Sequence, residues 1–252
     1  MTTIASESID RIAPTLRPEE RTAMRQRWAH LLFLHWPVPI ESLRPLLPPE
    51  LEVDTYHGTA YVGLVPFTMT GVRPTWAPPV WGLSNFHEVN VRTYVHFRGT
   101  DPGVWFFSLD AAQRIAVRIA RTFWNLAYHD ARMNLRRSPT GEIHYRSERF
   151  GSDATPAGCD LVYRPEGSPR AAEPGTLEHF LAERYVLYAK SKRGLLLGRV
   201  NHTPYPLQPA RLLRCEETLL AANGLVRPDA EPLAHYASEV RVRVYPLRPV
   251  KV

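Results

Sequence analysis

Residues 85–133 read NFHEVNVRTYVHFRGTDPGVWFFSLDAAQRIAVRIARTFWNLAYHDARM. The segment begins with an alternation of period two over residues 86–97, which is the period of a β-strand. One face of this strand carries valines and is typical of a core. The other face is polar yet flanked by aromatic side chains, and its members are Phe86, Glu88, Asn90, Arg92, Tyr94 and His96. Such a face is either open to water or lines a polar cavity, and the alternation alone does not decide between the two.

The second part of the segment predicts an interior strand followed by a helix. Residues 103–109 are apolar on both faces, as expected of a strand that is covered on both sides. Asp110 and Gln113 have the spacing of a capping box, so we expect a helix to begin at Asp110 and to run to about Phe123. A separate stripe of this helix is basic and consists of Arg114, Arg118 and Arg121. Such a stripe is ordinarily solvated, and Arg121 is the member that we expect to point into a pocket.

The rest of the chain predicts one domain built mainly of strands. A short helix is expected at Glu41–Leu46, a hairpin turn at His57–Gly58, and a second helix that starts near Thr176 and covers PGTLEHFLAERYVLYA. Proline-rich turns separate the remaining short strands, and no repeat or linker divides the chain. We therefore expect a polar arm at residues 1–24 and a single α+β domain at residues 25–252, mostly antiparallel, with two or three helices.

The composition of the chain indicates its class of protein and its cellular compartment. The chain has 252 residues, of which 44% are hydrophobic, enough for a sizeable core. No apolar run approaches the ~18 residues of a membrane span, and the N-terminus has no apolar signal-peptide segment. The two cysteines, Cys159 and Cys215, are isolated, which is typical of a reducing compartment. We expect a cytoplasmic protein without a membrane partner.

The net charge is +6, and the basic residues are nearly all arginines rather than lysines. The arginines are spread along the chain without a basic tail or an aromatic RNA-binding signature, so we expect no nucleic-acid partner. Only Lys190, Lys192 and Lys251 are lysines among the 31 basic residues. Two of these lie in YAKSKRG, which predicts an exposed turn, so few amines are available for covalent chemistry.

Several motifs are missing from the sequence. It has no GxGxxG or Walker loop, no GxSxG elbow and no HExxH, which argues against dinucleotide, nucleotide, serine-hydrolase and metalloprotease sites. The residues His87, Glu88, His202 and His235 are of types that bind zinc, but their spacing does not favour a metal centre. We expect neither a cofactor nor a catalytic metal.

Seven segments carry a family resemblance when they are taken in order. They are ESLRPLLPPELEVD, YVGLVPFTM, FHEVNVRTYV, GVWFFSLDA, LEHFLAERYVLY, VNHTPYPLQ and HYASEVRV, with an Arg-x5-Ala-Tyr stretch between the fourth and fifth. Together they resemble the bacterial YqjF family (domain of unknown function 2071), over about residues 25–246. The family has no settled reaction to carry over. The resemblance implies an acetoacetate decarboxylase-like fold, in which a curved antiparallel sheet closes into a cone or barrel around a small-molecule cavity.

A more distant resemblance to acetoacetate decarboxylase implies site residues. That enzyme has a glutamate on a strand where this chain has Glu88, and a Tyr-Pro-Lys-Lys sequence whose first lysine forms the Schiff base. Counting forward from Glu88 places the lysine pair at Tyr128 and His129, and the arginine of an Arg-Glu-Leu segment at Arg121. The resemblance therefore carries over a scaffold, a carboxylate and an arginine. The nucleophile is lost, and neither a phenol nor an imidazole can form the iminium that this chemistry needs.

A non-covalent site remains possible with these side chains. Arg121 or Arg92 can clamp a carboxylate or enolate, Glu88 can act as a general base, and Tyr128 can donate to an oxyanion. We expect Glu88, Tyr128, His129 and Arg121 as catalytic residues, and Asn90, Arg92, Tyr94 and His202 as ligand-binding residues. The alternative is structural, with Glu88 in an internal ion pair and Tyr128 as a core tyrosine.

Two functions stay open on the sequence. One is a lyase or isomerase without a lysine Schiff base, acting on a small oxo-acid or aromatic compound. The other is a non-catalytic protein that binds or senses a small molecule with the same scaffold. In both cases the expected partner is a small-molecule ligand, and exposed sheet edges are compatible with a homodimer.

Overall fold

The structure is a computed structural model, and it describes residues 9–113, 126–151 and 155–250. The strands in these ranges are β1 (Met24–Val38), β2 (Glu52–Val53), β3 (Ala60–Pro74), β4 (Phe86–Phe97), β5 (Thr100–Ala111), β6 (Tyr128–Arg137), β7 (Ile143–Arg149), β8 (Gly158–Pro165), β9 (Val186–Ser191), β10 (Gly194–Asn201), β11 (Leu207–Glu217), β12 (Leu233–Val244) and β13 (Arg248–Pro249). The helices are α1 (Ile40–Leu43), α2 (Leu177–Ala182) and α3 (Leu219–Ala222), and 3-10 turns occur at Ala13–Thr15 and Arg44–Leu46.

All of these strands belong to one curved sheet. Its order is β13-β10-β9-β5-β6-β7-β8-β11-β12-β1-β3-β4-β2, and further pairings join β5 to β4 and β10 to β12. The pairings are antiparallel except for β5 with β6 and β5 with β9. Because both extra pairings connect strands that are far apart in this order, the sheet curls back on itself as a partial ring. This arrangement, with its short helices, confirms the expected α+β, cone-like fold.

The sheet has apolar residues on both faces, which explains the long apolar run in β1. Leu32, Leu34 and Trp36 of β1 belong to the main core, together with the valine face of β4. Leu31 and Phe33 point to the opposite side, into a second apolar cluster that includes Phe67. Strands that alternate between two buried environments lose the simple apolar-polar pattern.

Asp110 does not cap a helix, and this prediction was wrong. β5 continues to Ala111, with Asp110 opposite Val89 of β4 and His129 of β6. Both carboxylate oxygens of the buried Asp110 accept from Arg149, Nε at 2.8 Å and Nη2 at 2.7 Å. The carboxylate is therefore used in a bidentate ion pair. The remainder of the predicted helix, with Arg114, Arg118 and Arg121, falls on residues 114–125 and lies outside the described residues.

The second predicted helix is real but shorter. Thr176 caps α2, because its Oγ1 accepts from the backbone N–H of His179. The helix ends at Ala182, and the sequence from Val186 onward forms β9, which pairs with β10 over six residue pairs. The pattern of large apolar residues does not distinguish a buried helix from a buried strand, and the prediction extended the helix too far.

The turn at His57–Gly58 is present, with both residues at positive φ (48° and 82°) and an isolated bridge between Tyr56 and Thr59. The strand before it, β2, pairs with β4 rather than with β3. The predicted hairpin is therefore only a tight turn, because the preceding strand crosses to another neighbour.

The described part of the N-terminal arm packs on the domain. Arg11 forms an ion pair with the buried Asp54, and the backbone N–H of Ala23 donates to Val244 at 2.9 Å. Asn201 donates to the carbonyl of Thr15 at 3.3 Å. Within the described ranges, no helix is long and apolar enough to cross a membrane.

The Asp110–Arg149 pair gives a test of the fold. Arg149→Met should lower the free energy of unfolding by about 3–5 kcal/mol, because it leaves a buried carboxylate without its cation. Urea unfolding measures this. The matched control is Arg164→Met, which breaks the half-exposed pair with Glu142 (2.9 Å) and should cost no more than about 1 kcal/mol. Equal losses in the two variants would contradict the assignment of Asp110 to a buried pair.

Candidate functional site

A pocket of about 530 Å³ lies on one face of the curved sheet. Its wall is formed by residues of β1, β3, β4 and β5, with contributions from β6, β9, β10, β12 and the loop at residues 75–85. Most of the lining is apolar, and its aromatic members are Trp28, Phe33, Phe67, Trp76, Phe86, Phe106, Tyr128 and Tyr205. The volume is typical of pockets that hold small molecules.

A row of polar side chains crosses this apolar wall along β4. Glu88, Asn90 and Arg92 alternate on one face of the strand and all line the pocket. Their exposed fractions are 1%, 5% and 8%. The polar face of β4 is therefore a buried lining and not a surface open to water, which decides between the two interpretations of the alternation.

Glu88 is joined to Tyr128 by the pairing of three strands. β4 places Glu88 opposite Ala111 of β5, and β5 places Leu109 beside Tyr128 of β6. The Tyr128 hydroxyl donates to Oε2 of Glu88 at 2.9 Å. The structure thus brings together two of the four residues that were predicted to be catalytic.

The environment of Glu88 favours the protonated carboxyl group. Burial raises the pKa of Glu88 to about 8, and nearby Asp110 raises it further, while the hydrogen bond from Tyr128 lowers it. Glu88 is therefore mostly a neutral acid near pH 7 and can ionise within the physiological range. Burial and Glu88 also raise the pKa of Tyr128 well above 10, so that this residue remains a neutral phenol and a hydrogen-bond donor.

Asn90 and Arg92 present unused polar atoms inside the protein. Oδ1 of Asn90 is buried and has no hydrogen-bond partner among the described residues. Arg92 donates from Nη2 to the carbonyl of Leu181 at 3.0 Å and to the Tyr94 hydroxyl at 3.4 Å, whereas its Nε is buried and unpartnered in the same ranges. Buried polar groups are ordinarily paired, so these atoms are available to a ligand.

Tyr94 and His202 were predicted to bind a ligand, but neither lines the pocket. The Tyr94 hydroxyl donates to the carbonyl of Leu181 at 2.7 Å and lies 2.6 Å from Nε2 of His35. His202 stacks on Tyr185 with ring centroids 4.4 Å apart and donates from Nδ1 to the carbonyl of Thr203 at 2.7 Å. Burial lowers the pKa of His202 to about 4, so its ring is neutral. Both residues lie behind the wall.

The other predicted residues are placed away from the pocket or are not described. His129 follows Tyr128 on β6, so alternation turns its side chain to the other face, and it is absent from the lining. Arg121 lies outside the described residues. Lys190 is exposed and pairs with Glu50, and Lys192 is exposed as well. No lysine lines the pocket within the described ranges.

Sequence reasoning missed Arg184 as a lining residue. It is buried, pairs with Asp54 at 2.7 Å, and lies over the ring of Phe180 at 4.2 Å. The sequence placed it in the middle of a longer helix, where an arginine is usually solvated. The early end of α2 turns it inward instead. The available signal was the run of large apolar residues on both sides of it.

No three His, Cys, Asp or Glu side chains come together around a possible metal position in the part of the chain that the structure describes.

Comparison with known proteins defines the family. The model of the DUF2071 family, whose description is "Uncharacterized conserved protein", matches residues 25–241. The chain is also 40% identical over 231 residues to the "Uncharacterized protein YqjF" of Bacillus subtilis (strain 168), a match that covers 92% of this chain and 94% of that protein. The chain belongs to the DUF2071 family.

Solved structures with the same fold are acetoacetate decarboxylase-like. A structure of acetoacetate decarboxylase has a TM-score of 0.63 at 14% identity, covering 92% of this chain and 90% of the other. An acetoacetate decarboxylase-like enzyme from Sphingomonas wittichii RW1 has a TM-score of 0.60 at 13% identity, covering 92% and 94%. The enduracididine biosynthesis enzyme MppR, complexed with pyruvate, has a TM-score of 0.59 at 12% identity, covering 91% of each chain. At these identities the likeness establishes the fold alone.

Replacement of Glu88 should change how stability depends on pH. Between about pH 4.5 and about pH 8, Glu88 keeps its proton in the folded protein and loses it in the unfolded chain. In this range the free energy of unfolding therefore falls as the pH rises, by about 1.4 kcal/mol per pH unit from this group. Glu88→Gln has no proton to lose. Its stability relative to wild type should therefore rise by a few kcal/mol between about pH 5 and about pH 8.

Urea unfolding at the two pH values measures this difference, and Glu148→Gln on the exposed side of β7 is the matched control. A relative stability of Glu88→Gln that does not change with pH would show that Glu88 is ionised in the folded protein like an ordinary glutamate.

Proposed function

We propose that this protein is an enzyme of the lyase or isomerase type, which acts on a small oxo-acid or aromatic compound without a lysine Schiff base. The observation that carries the proposal is the placement of Glu88 on the wall of the pocket, buried and hydrogen-bonded to Tyr128. A buried, titratable carboxyl group in a mostly apolar pocket is costly to maintain, and such groups concentrate at functional sites.

In this proposal Glu88 is the residue that takes a proton from the substrate and returns it. As a carboxylate it takes a proton from the carbon next to a carbonyl group, and as the resulting acid it returns that proton to a different position or to a leaving group. Its pKa of about 8 suits both steps, because both forms are accessible near neutral pH. Tyr128 holds the carboxyl group in place through Oε2. Donation by Tyr128 to a developing oxyanion stays a prediction.

The placement of the lysines supports chemistry without a Schiff base. Covalent decarboxylation of the acetoacetate decarboxylase kind needs a lysine amine in the cavity, made neutral by its surroundings. Here the described lysines are on the surface, and one of them is paired with Glu50. The enolate that forms after proton removal would instead be stabilised by hydrogen bonds and by a nearby cation.

Fold neighbours support an oxo-acid as the class of substrate. MppR has been solved with pyruvate and with the condensation product of pyruvate and imidazole 4-carboxaldehyde. These molecules belong to MppR, but they illustrate that a cone-like fold of this kind can enclose a carbonyl compound with a carboxylate.

A non-catalytic binding protein is the second candidate, and the apolar character of the pocket favours it. A wall made mainly of aliphatic and aromatic side chains can hold a ligand without any chemistry. The buried carboxyl group of Glu88 favours the enzyme, because proton transfer requires an ionisable group, whereas a binding protein could form the same hydrogen bonds with a neutral amide.

The remaining expectations stay predictions. They are catalytic roles for His129 and Arg121, ligand contacts of Tyr94 and His202, a cytoplasmic location, and a homodimer. The free thiols of Cys159 and Cys215 are consistent with a reducing compartment.

Proton transfer by Glu88 can be tested without knowledge of the natural substrate. Wild-type protein in deuterated water should exchange the hydrogens on the carbon next to the carbonyl of alkyl and arylmethyl 2-oxo acids, and proton NMR follows this exchange. The rate should rise with pH and level off above about 8, since the carboxylate is the active form. Glu88→Gln should lower it by about a hundredfold or more. An equal rate in this variant would contradict the assignment of Glu88 as the base.

Borohydride tests the absence of a Schiff base. Treatment of the protein with borohydride and an oxo-acid should give no covalent adduct in intact-mass spectrometry, because an iminium requires a lysine amine in the pocket. An acetoacetate decarboxylase with its lysine is the positive control. An adduct that maps to Lys190, Lys192 or Lys251 would overturn the proposed chemistry.

A further inference from the structure

The three buried arginines of the described chain differ in one respect. Arg149 pairs with Asp110 and Arg184 pairs with Asp54, each at 2.7 Å. Arg92 has no Asp or Glu oxygen within 4.0 Å in the described ranges. An arginine does not give up its proton in proteins, so Arg92 is a buried cation that has no anion beside it among the described residues.

The described residues around Arg92 do not supply a negative charge. Its contacts are the carbonyl of Leu181 and the hydroxyl of Tyr94, and its guanidinium lies 5.6 Å from the ring centroid of Phe33. These partners are neutral. The nearest acid along β4, Glu88, is itself mostly neutral near pH 7. A ligand that brings an anion to Arg92 would remove a large electrostatic cost.

The polar row also sets the length of such a ligand. Glu88 and Arg92 are four residues apart on one strand, which separates their Cα atoms by roughly 13 Å. The guanidinium of Arg92 contacts Tyr94, a residue that is two positions further from Glu88. A ligand that reaches both Arg92 and Glu88 is therefore longer than a three-carbon oxo-acid.

The lining of the pocket indicates the chemical nature of the part of the ligand that lies between Arg92 and Glu88. Most of the surface around the polar row is apolar and includes Phe33 and Phe106, and Arg184, which also lines the pocket, is paired with Asp54. This apolar lining extends to the surface, where Trp76 is 86% exposed. A hydrophilic ligand would not bury this apolar surface well, whereas a ligand with an apolar body would remove it from water.

We propose that the ligand is an elongated monocarboxylate with an apolar body, an aliphatic or aryl-substituted acid, whose carboxylate binds Arg92 and whose far end reaches Glu88. The inference rests on the proposed function for the role of Glu88, but the carboxylate site at Arg92 stands on binding alone. Asn90 lies midway, and its Oδ1, which has no partner in the part of the chain that the structure describes, can accept a hydrogen bond from a hydroxyl group of the ligand.

Calorimetric titration of the wild-type protein with butanoate, hexanoate, octanoate and decanoate tests the apolar body. Affinity should increase by about fourfold for each methylene group until the pocket is filled. Octanamide, which has the same shape as octanoate but no charge, should bind at least about tenfold more weakly. Equal affinity for butanoate and octanoate, or for octanoate and octanamide, overturns the proposal.

Two arginine variants locate the carboxylate. Arg92→Met should abolish the preference for octanoate over octanamide, whereas Arg73→Met, at the half-exposed lining arginine, should keep it. Loss of the preference in Arg73→Met alone would place the head group at the other end of the pocket and overturn the proposal. The comparison of octanoate with octanamide uses wild-type protein, so it remains decisive if Arg92→Met does not fold.

The failure of this inference can be told from the failure of the proposed function. Tight binding of octanoate without any hydrogen exchange on oxo-acids would contradict the proposed enzyme activity but support the carboxylate site at Arg92. Hydrogen exchange that is as fast on pyruvate as on long-chain 2-oxo acids would support the enzyme activity but contradict the preference for an elongated ligand.

Discussion

The structure depends on the burial of β4 on both of its faces. One face supplies Val89, Val91 and Val95 to the main core, and this fixes the register of the strand between β3 and β5. A slip by one residue would exchange the valines for the polar row, so the register that the core sets places Glu88, Asn90 and Arg92 in the pocket. Hydrophobic packing on one side of the sheet therefore provides the free energy that keeps three costly polar side chains buried on the other.

Much of the fold could be predicted from the sequence, because period-two alternation and turn residues are local signals. The strand at residues 86–97, the interior strand after it, the turn at His57–Gly58 and the cap at Thr176 are all present. The failures have a common cause. Asp110 has the local pattern of a helix cap, but its partner Arg149 is distant in the chain, and α2 ends early because β9 pairs with β10. Local patterns do not contain such long-range pairings.

The candidate site was predictable to the same extent. Glu88, Asn90 and Arg92 followed from alternation on one strand, and the resemblance to the decarboxylase fold pointed to Tyr128, which the structure places against Glu88. His129 lies on the other face of β6, and Tyr94 and His202 lie behind the wall, because sharing a strand or a motif does not specify which side chains reach a cavity. Arg184 enters the pocket only through the shape of the chain after α2. The chain belongs to the DUF2071 family and shares its fold with acetoacetate decarboxylase, and within the described ranges no lysine lines the pocket.

Burial in a mostly apolar pocket should keep the carboxyl group of Glu88 protonated at neutral pH. Infrared difference spectroscopy of the protein labelled with ¹³C in its glutamate carboxyl groups measures this directly, and the same spectra of Glu88→Gln identify the band of Glu88. We expect a carboxylic acid C=O band at pH 7 that disappears with a midpoint at about pH 8 and is missing in the variant. A Glu88 that is already a carboxylate at pH 7, with a midpoint near 4.5, would contradict this expectation.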